Sequence, residues 1–383
     1  MASLVEATPA PGSWAEALER QPEGLAGAVL RKALVRREPS LSSAAVGELR
    51  RGTALRVTRA ASAGGRERLL VAGGGLEGWV SAPTLRKPPR GLKVGLCFLV
   101  YGGVEYADVW RWYLDGVESR RFAIYAHSKR PGACAASCGG LRNVTVLTEG
   151  LVDTAWGDVS LVEAAAALFR AARDGGCDAF VLLSDTMLPL EPFDALCDRL
   201  GSSLFQVQET PSPEEFEARS GNHAMISRKL PRALADRWKP STITKANMFC
   251  ALLRDDFDAL DERPQPQYDA FSTIWVGASD EYYWANMMTI LRRPYASARF
   301  LYCAANHAGV TAAELHDVDG ALLAATRGFL FVRKVRSIAA DALPRYLQRI
   351  RSGRAHVRPS PAECAAVATT ASLITGHVWG EVE

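Results

Sequence analysis

Two neighbouring carboxylates, Asp280 and Glu281, stand at the head of the helix-like run EYYWANMMTILRR. Acids in a first helical turn complement the partial positive charge of the exposed backbone amides. A second spot is the strand-like apolar run Phe329 to Val332, which delivers Arg333, Lys334 and then Arg336. Cations so placed either hold negative charge on a ligand or form a solvated basic edge. Ser184 and Asp185 follow the apolar run Phe180 to Leu183, where an acid can accept from hydroxyls or cap a helix before Pro189. His127 ends another apolar run and would either touch a ligand or be hydrogen-bonded in place. Trp156, followed by Gly157, offers either a stacking wall or a packed core aromatic. Asp317-Val318-Asp319 has a D-x-D spacing, but it follows Glu314-Leu315-His316 rather than a hydrophobic strand and reads as a solvated acidic turn. No other strand end carries a D-x-D, so no metal and no cofactor are expected.

These residues need a scaffold, and the pattern around them supplies one. Lys93 to Val100 is a continuous apolar strand of the kind buried on both faces of a parallel sheet. A helical stretch follows at Val104 to Gly116, then strands at Arg121 to Ala126 and Asn143 to Leu147. Ser160-Leu161-Val162-Glu163 has the form of a capping box, opening an Ala-rich helix that stops near Gly175-Gly176, and Ala179 to Leu183 is the next strand. The alternation predicts a mostly parallel α/β sheet whose ligand site lies beyond the carboxyl ends of its strands. Those ends carry Tyr101-Gly102-Gly103, His127-Ser128 and Ser184-Asp185.

At 383 residues the chain has room for two domains. With 48% hydrophobic and 23% charged residues it has ordinary globular usage, which excludes collagen, a disordered tail protein or a coiled coil for most of the length. No stretch approaches the roughly 18 uncharged apolar residues of a bilayer span, and the first residues lack the pattern of a signal peptide. The net charge of +3 gives no case for nucleic acid, yet 13 Lys/Arg against 4 Asp/Glu fall between Arg31 and Arg90. That basic segment is either solvated surface or faces anionic polymer or lipid. The eight cysteines show no paired C-x-x-C spacing, so a zinc site is not expected. Cys134 and Cys138 flank a small-residue loop and could pair in an oxidising compartment. Asn143-Val144-Thr145 fits a glycosylation sequon but falls in a predicted strand.

Residues 1 to 30 read as a tail with one short helix at Ser13 to Arg20. From Ala33 to Leu85 short β-like runs alternate with turns, predicting a small barrel that ends at the Pro88 to Gly91 linker. Val35, Arg36, Pro39, Ser40, Gly47, Leu49, Gly52, Gly78, Trp79 and Val80 give this segment a resemblance to the bacterial-type SH3-like domain. The resemblance implies a peptide or cell-wall ligand, and the basic charge would suit an anionic polymer. Trp79 would be a barrel-core aromatic or a ligand platform.

The second segment carries its own resemblance. KVGLCFLVYGGVEYADVWRWYLDG, RRFAIYAHS, TAWGDVSLVEAAAALFRAA, DAFVLLSDTMLPL, TKANMFCALLRDD, ASDEYYWANMM and GFLFVRKV occur in order from Lys93 to about Leu343. Together they resemble the core-2/I-branching β-1,6-N-acetylglucosaminyltransferase family, nearest its plant-type branch. The resemblance implies a GT-A-like fold and inverting, metal-independent transfer of a sugar from a UDP-sugar donor. Such transfer needs a base for the acceptor's proton and cations for the leaving diphosphate. Family register carries the base to Glu281, with Asp280 beside it, and the diphosphate cation to Lys334, with Arg333 matching the plant-type F-A-R-K. The family's Pro and His are Ala278 and Tyr282 here, and its Trp is Phe249. A second arginine has two claimants, Arg299 and Arg327. His127, Trp156, Ser184 and Asp185 are expected in the donor or acceptor pocket. Family members sit in Golgi or other secretory membranes, whereas this chain shows no span.

The sequence thus predicts residues 31–88 as an SH3-like barrel and 92–383 as a GT-A-like domain that moves GlcNAc, xylose or glucuronic acid from a UDP-sugar to a glycan or glycoconjugate hydroxyl. The rival expectation is a binding protein in which the same fold has lost catalysis and the basic module is the interaction domain.

Overall fold

The apolar runs of the second segment become the centre of a sheet. The computed structural model describes residues 25–29, 33–49, 54–63, 66–73, 75–82, 85–86, 91–208, 213–262, 264–272, 278–303, 313–315, 328–338 and 343–351. The chain divides into two units: Met1–Arg90 with Asp198–Ser203 and Pro294–Ser297, and Gly91–Cys197 with Leu204–Arg293 and Ala298–Glu383.

In the first unit seven strands, β1 (Leu25–Val29), β2 (Ala33–Arg36), β3 (Ala45–Leu49), β4 (Ala54–Ala63), β5 (Arg66–Gly73), β6 (Leu76–Ser81) and β7 (Leu85–Arg86), lie in the order β3-β2-β6-β5-β4-β1-β7. Every pairing is antiparallel. The tail expected through residue 30 ends earlier, because β1 pairs with β4 and β7 and buries Val29 among Val57, Val71 and Leu85. Residues 1–24, with the short helix expected at Ser13 to Arg20, lie outside the described residues. Trp79 is buried, and its carbonyl accepts from Arg68, a buried guanidinium that also donates to the carbonyl of Pro39. It is therefore a core aromatic. Gly78 sits where a Cβ would come within 2.6 Å of the Arg36 carbonyl oxygen, so only glycine fits that crossing of β6 and β2.

In the second unit β8 (Val94–Val100), β9 (Phe122–Ser128), β10 (Val144–Val146) and β11 (Ala179–Ser184) are parallel, and β13 (Ser203–Val207) and β14 (Ala246–Leu253) extend the sheet as β10-β9-β8-β11-β14-β13. The fold is α/β with a parallel-rich sheet and flanking helices. Strands β12 (Leu188–Pro189), β16 (Leu301–Cys303) and β18 (Phe331–Arg333) form a separate small sheet, and β17 (Ala313–Leu315) pairs with β19 (Val335–Ile338). The short strand β15 (Tyr295–Ser297) belongs to the stretch assigned to the first unit. Helices α1 (Ala107–Tyr113), α2 (Pro131–Ser137), α3 (Val159–Asp174) and α9 (Ser279–Ile290) carry or flank the candidate residues. Four further helices, α4 (Phe193–Arg199), α5 (Pro213–Lys229), α6 (Arg232–Ala235) and α7 (Arg254–Asp261), come before α8 (Gln265–Phe271), and α10 (Leu343–Ile350) follows.

The Ala-rich face of α3 lets it approach the sheet closely: a Cβ on Gly95 would lie 2.8 Å from that of Ala172. Phe169 stacks on Phe180 at 5.6 Å and meets Phe257 and Trp284 edge-on or tilted, tying α3, β11, α7 and α9 into one core. The capping box expected at Ser160 is displaced. Asp158 is the cap, its carboxylate accepting from the Ser160 amide at 2.8 Å, while the Ser160 hydroxyl accepts from Ala155 N at 3.0 Å. An acid just outside the helix outcompetes a serine already inside it.

Among the described residues no helix is long and apolar enough to cross a membrane. The sequon asparagine, Asn143, spends its amide nitrogen on the carbonyls of Ser119 and Phe122.

Candidate active site

The parallel strands bring their carboxyl ends to one edge, with Val100 opposite Ser128 and Ser184 opposite Leu99. β14 runs antiparallel to β11, so its first residues, and Lys245 just before them, arrive at that same edge. The remaining candidates are tied to it by main-chain contacts. Leu188 in β12 pairs with Val332 in β18, and Val335 N donates to the carbonyl of Thr186 at 3.3 Å, which sets Arg333 and Lys334 beside the turn that carries Asp185. Ser279 N, at the start of α9, donates to the carbonyl of Gly157 at 2.8 Å. Gly157, with φ of 71°, turns the chain there, so Trp156 sits beside the acid-bearing helix start.

Glu281 Oε2 lies 3.0 Å from the Lys245 ammonium, and both side chains keep contact with solvent. Its neighbour Asp280 is only 8% exposed, and its Oδ1 has no hydrogen-bond partner. Burial, then the charge of Glu281, pushes the Asp280 carboxyl up to about 6, with Lys245 opposing. The family's histidine position, Tyr282, is buried inside α9.

Across the edge, the Asp185 carboxylate accepts from Thr186 N at 2.9 Å. Burial raises its pKa, while the Thr186 amide and the positive charge of Arg333 act the other way. The helix cap considered for Asp185 does not form, because the turn leads into β12 rather than a helix. Ser184, 6% exposed at the same strand end, has a hydroxyl with no hydrogen-bond partner. The Arg333 guanidinium lies 4.6 Å from the centroid of the Phe249 ring, and Lys334 follows it. Phe249 thus supports a cation, a role any aromatic ring face can fill. Arg299 stacks instead on Phe329, and Arg327 lies outside the described residues, as does Asp317-Val318-Asp319. Among the described residues no three His, Cys, Asp or Glu side chains are grouped to hold a metal ion.

His127 is buried, and its Nε2 accepts from Val152 N at 3.0 Å. That bond requires the neutral ring, and burial lowers its pKa accordingly. His127 therefore anchors the loop that leads to Trp156. The packed-core alternative for Trp156 fails: the indole is 93% exposed.

Two residues of this edge escape the sequence reading. Lys245 lies within the motif TKANMFCALLRDD without a role of its own, and Glu105, four residues past the strand-end tyrosine Tyr101, carries no motif that marks it. Glu105 is half-buried, and burial, then the charge of Asp185, pushes its carboxyl up to about 7. Its neighbour Tyr106 is fixed by a hydrogen bond to the carbonyl of Val335 at 2.8 Å. The strand-end position is the available signal, since a carboxylate in the loop after a parallel strand faces the ligand edge.

No protein-family model matches the chain, and no curated protein does. Among solved structures it is similar to an active-site variant of LgtC, with 12% identity, a TM-score of 0.35, and 62% of this chain and 86% of that one covered. It is also similar to the bifunctional glycosyltransferase WbbM, with 10% identity, a TM-score of 0.34, and 76% and 55% covered. The galactosyltransferase LgtC in complex with donor and acceptor sugar analogs gives 13% identity, a TM-score of 0.31, and 74% and 98% covered. These neighbours are glycosyltransferases.

Proposed function

We propose that the second unit is an inverting glycosyltransferase that moves a sugar from a UDP-sugar donor to a hydroxyl of a glycan or glycoconjugate without a metal ion, in the manner of the core-2/I-branching family. What supports this is the gathering at one sheet edge of a carboxylate on a helix start, Glu281, and two adjacent cations, Arg333 and Lys334. Glu281 takes the acceptor proton as the hydroxyl attacks the anomeric carbon. Lys334 and Arg333 hold the charge that grows on the leaving diphosphate. Asp185 accepts from sugar hydroxyls, and Trp156 offers a face for a sugar ring to stack on. GlcNAc is the first donor sugar to try, with xylose and glucuronic acid next. The first unit is an SH3-like module for a peptide or anionic polymer.

The ion pair between Lys245 and Glu281 favours a second reading, a binding protein without catalysis, because a carboxylate held by an ammonium must release it before taking a proton. A UDP-release assay across UDP-sugars and glycan acceptors, in excess chelator, separates the two. Turnover in that assay supports the transferase; UDP binding without turnover for any donor supports the binding protein.

A further inference from the structure

The ion pair between Lys245 and Glu281, 3.0 Å long, is set up by the main chain. Asn286, wholly buried in α9, accepts from Thr244 N at 2.8 Å and donates its amide to the carbonyls of Thr244 and Tyr282, both at 2.6 Å. The carbonyl of Lys245 itself accepts from Gln208 N at 2.9 Å, at the end of β13. Lys245 is thus bolted to the helix that carries Glu281 and to the neighbouring strand. Its backbone cannot withdraw the ammonium, and only rotation of its flexible stem can move it off Glu281. Both partners reach solvent, 30% and 28% exposed, while the adjacent Asp280 is buried. The solvent-facing charges here are one ammonium and one carboxylate, which cancel. The exposed Trp156 is fixed beside them, because the Gly157 carbonyl accepts from Ser279 N at 2.8 Å.

We propose that Lys245 selects an acceptor sugar that carries an anionic group: the anion takes the ammonium from Glu281, and the freed carboxylate turns to a hydroxyl of the same sugar, whose ring lies on Trp156. The inference rests on Glu281 being the base of the transferase reading. An ion pair open to water is held weakly, so a second anion competes for the ammonium on near-equal terms. A neutral sugar has nothing to give in exchange and leaves Glu281 occupied. The exchange makes and breaks no covalent bond. A carboxylate, a sulfate and a phosphate have the same claim on an ammonium. The first unit, with 13 Lys/Arg against 4 Asp/Glu between Arg31 and Arg90, has the charge to hold a polymer of such sugars.

Saturation-transfer NMR on the full chain tests this with matched pairs of free sugars: glucuronic acid beside its uncharged amide, and sulfated or phosphorylated GlcNAc beside GlcNAc. In the wild type an anionic sugar should bind about tenfold more tightly than its neutral counterpart, as a charge-assisted contact is gained. The pair that shows the difference identifies the anion as carboxylate or ester. Lys245→Met should abolish the preference, Lys245→Arg should keep it, and Glu281→Gln should enlarge it, because the competitor for the ammonium is gone. Calorimetry of UDP binding checks that each variant is folded. A merely structural role for Lys245 would weaken charged and neutral sugars equally. Equal binding or no binding of charged and neutral sugars by the wild type, or a preference that survives in Lys245→Met, overturns the proposal. The preference without UDP release from any donor leaves the Lys245 site standing and sinks the transferase reading. UDP release that is as fast with neutral acceptors as with their charged counterparts does the reverse.

Discussion

The two carboxyl pairs at this sheet edge are built in opposite ways. Asp280 and Glu281 are neighbours in sequence on one helix start, and Lys245 takes hold of Glu281. Glu105, in the turn after β8, and Asp185, at the end of β11, come from different strand ends; the charge of Asp185 adds to the burial that raises Glu105, and Arg333 opposes the rise at Asp185. In both, one member is tied to a cation and the other is left to burial and its partner's charge. Burial raises Asp280 to about 6 and Glu105 to about 7, and it raises Asp185 as well, where the Thr186 amide and Arg333 oppose it. Pairs of acids whose surroundings differ divide the labour between a charge and a proton.

Substitution is the sharpest way to break the comparison. Glu281→Gln should lower kcat by about 10² to 10⁴ while leaving UDP affinity nearly unchanged, because a base acts only in the transition state. Near wild-type kcat would remove the base assignment, and calorimetry beside turnover reads both quantities. Lys334→Ala should weaken UDP affinity by about tenfold to a hundredfold and slow transfer too, since its charge meets the diphosphate before and during reaction. A fall in kcat alone would move Lys334 away from the bound donor.

Stability against pH should show the proton-holding members directly. A carboxyl raised in the folded state binds more protons there than in the unfolded chain, so stability falls as pH rises between the two pKa values. For Asp280 that window runs from the ordinary 3.8 to about 6. For Glu105 it runs from 4.5 to about 7. Thermal melts of Asp280→Asn should lack the lower part of the decline, and those of Glu105→Gln the upper part. Melts that decline as in the wild type would show that neither acid is perturbed. Lys245→Met should change folding stability by less than about 1 kcal/mol in chemical unfolding, as both partners of its ion pair keep contact with solvent. The smallest effect is expected from chelator: turnover in excess EDTA should match turnover without it, and a loss restored by Mn²⁺ would overturn metal independence.

Legibility in the sequence followed locality. The apolar runs at Val94–Val100 and Ala179–Ser184 announced a parallel core because a strand buried on both faces needs no alternation. Asp280 and Glu281 could be singled out because helix-start acids are adjacent by construction. β1 was hidden because Leu25–Val29 is short and built of small residues, and only its partner strands show that it is needed. Glu105 was hidden because the burial and the Asp185 charge that raise it come from the folded sheet edge and leave no mark on its neighbours in sequence. Trp156 could be proposed as a stacking face or a core residue from its type, and only packing settles which side of the surface it occupies.

Trp156 also makes the site observable by light. The other tryptophans among the described residues, Trp79, Trp110, Trp112, Trp238 and Trp284, are all buried. With Trp14, Trp275 and Trp379, which lie outside the described residues, replaced by phenylalanine, a water-borne quencher such as iodide should extinguish one emitting indole preferentially. Whatever settles beside the start of α9 would shield that indole and shift its emission to the blue, so occupancy can be titrated without a label, a product or a known substrate.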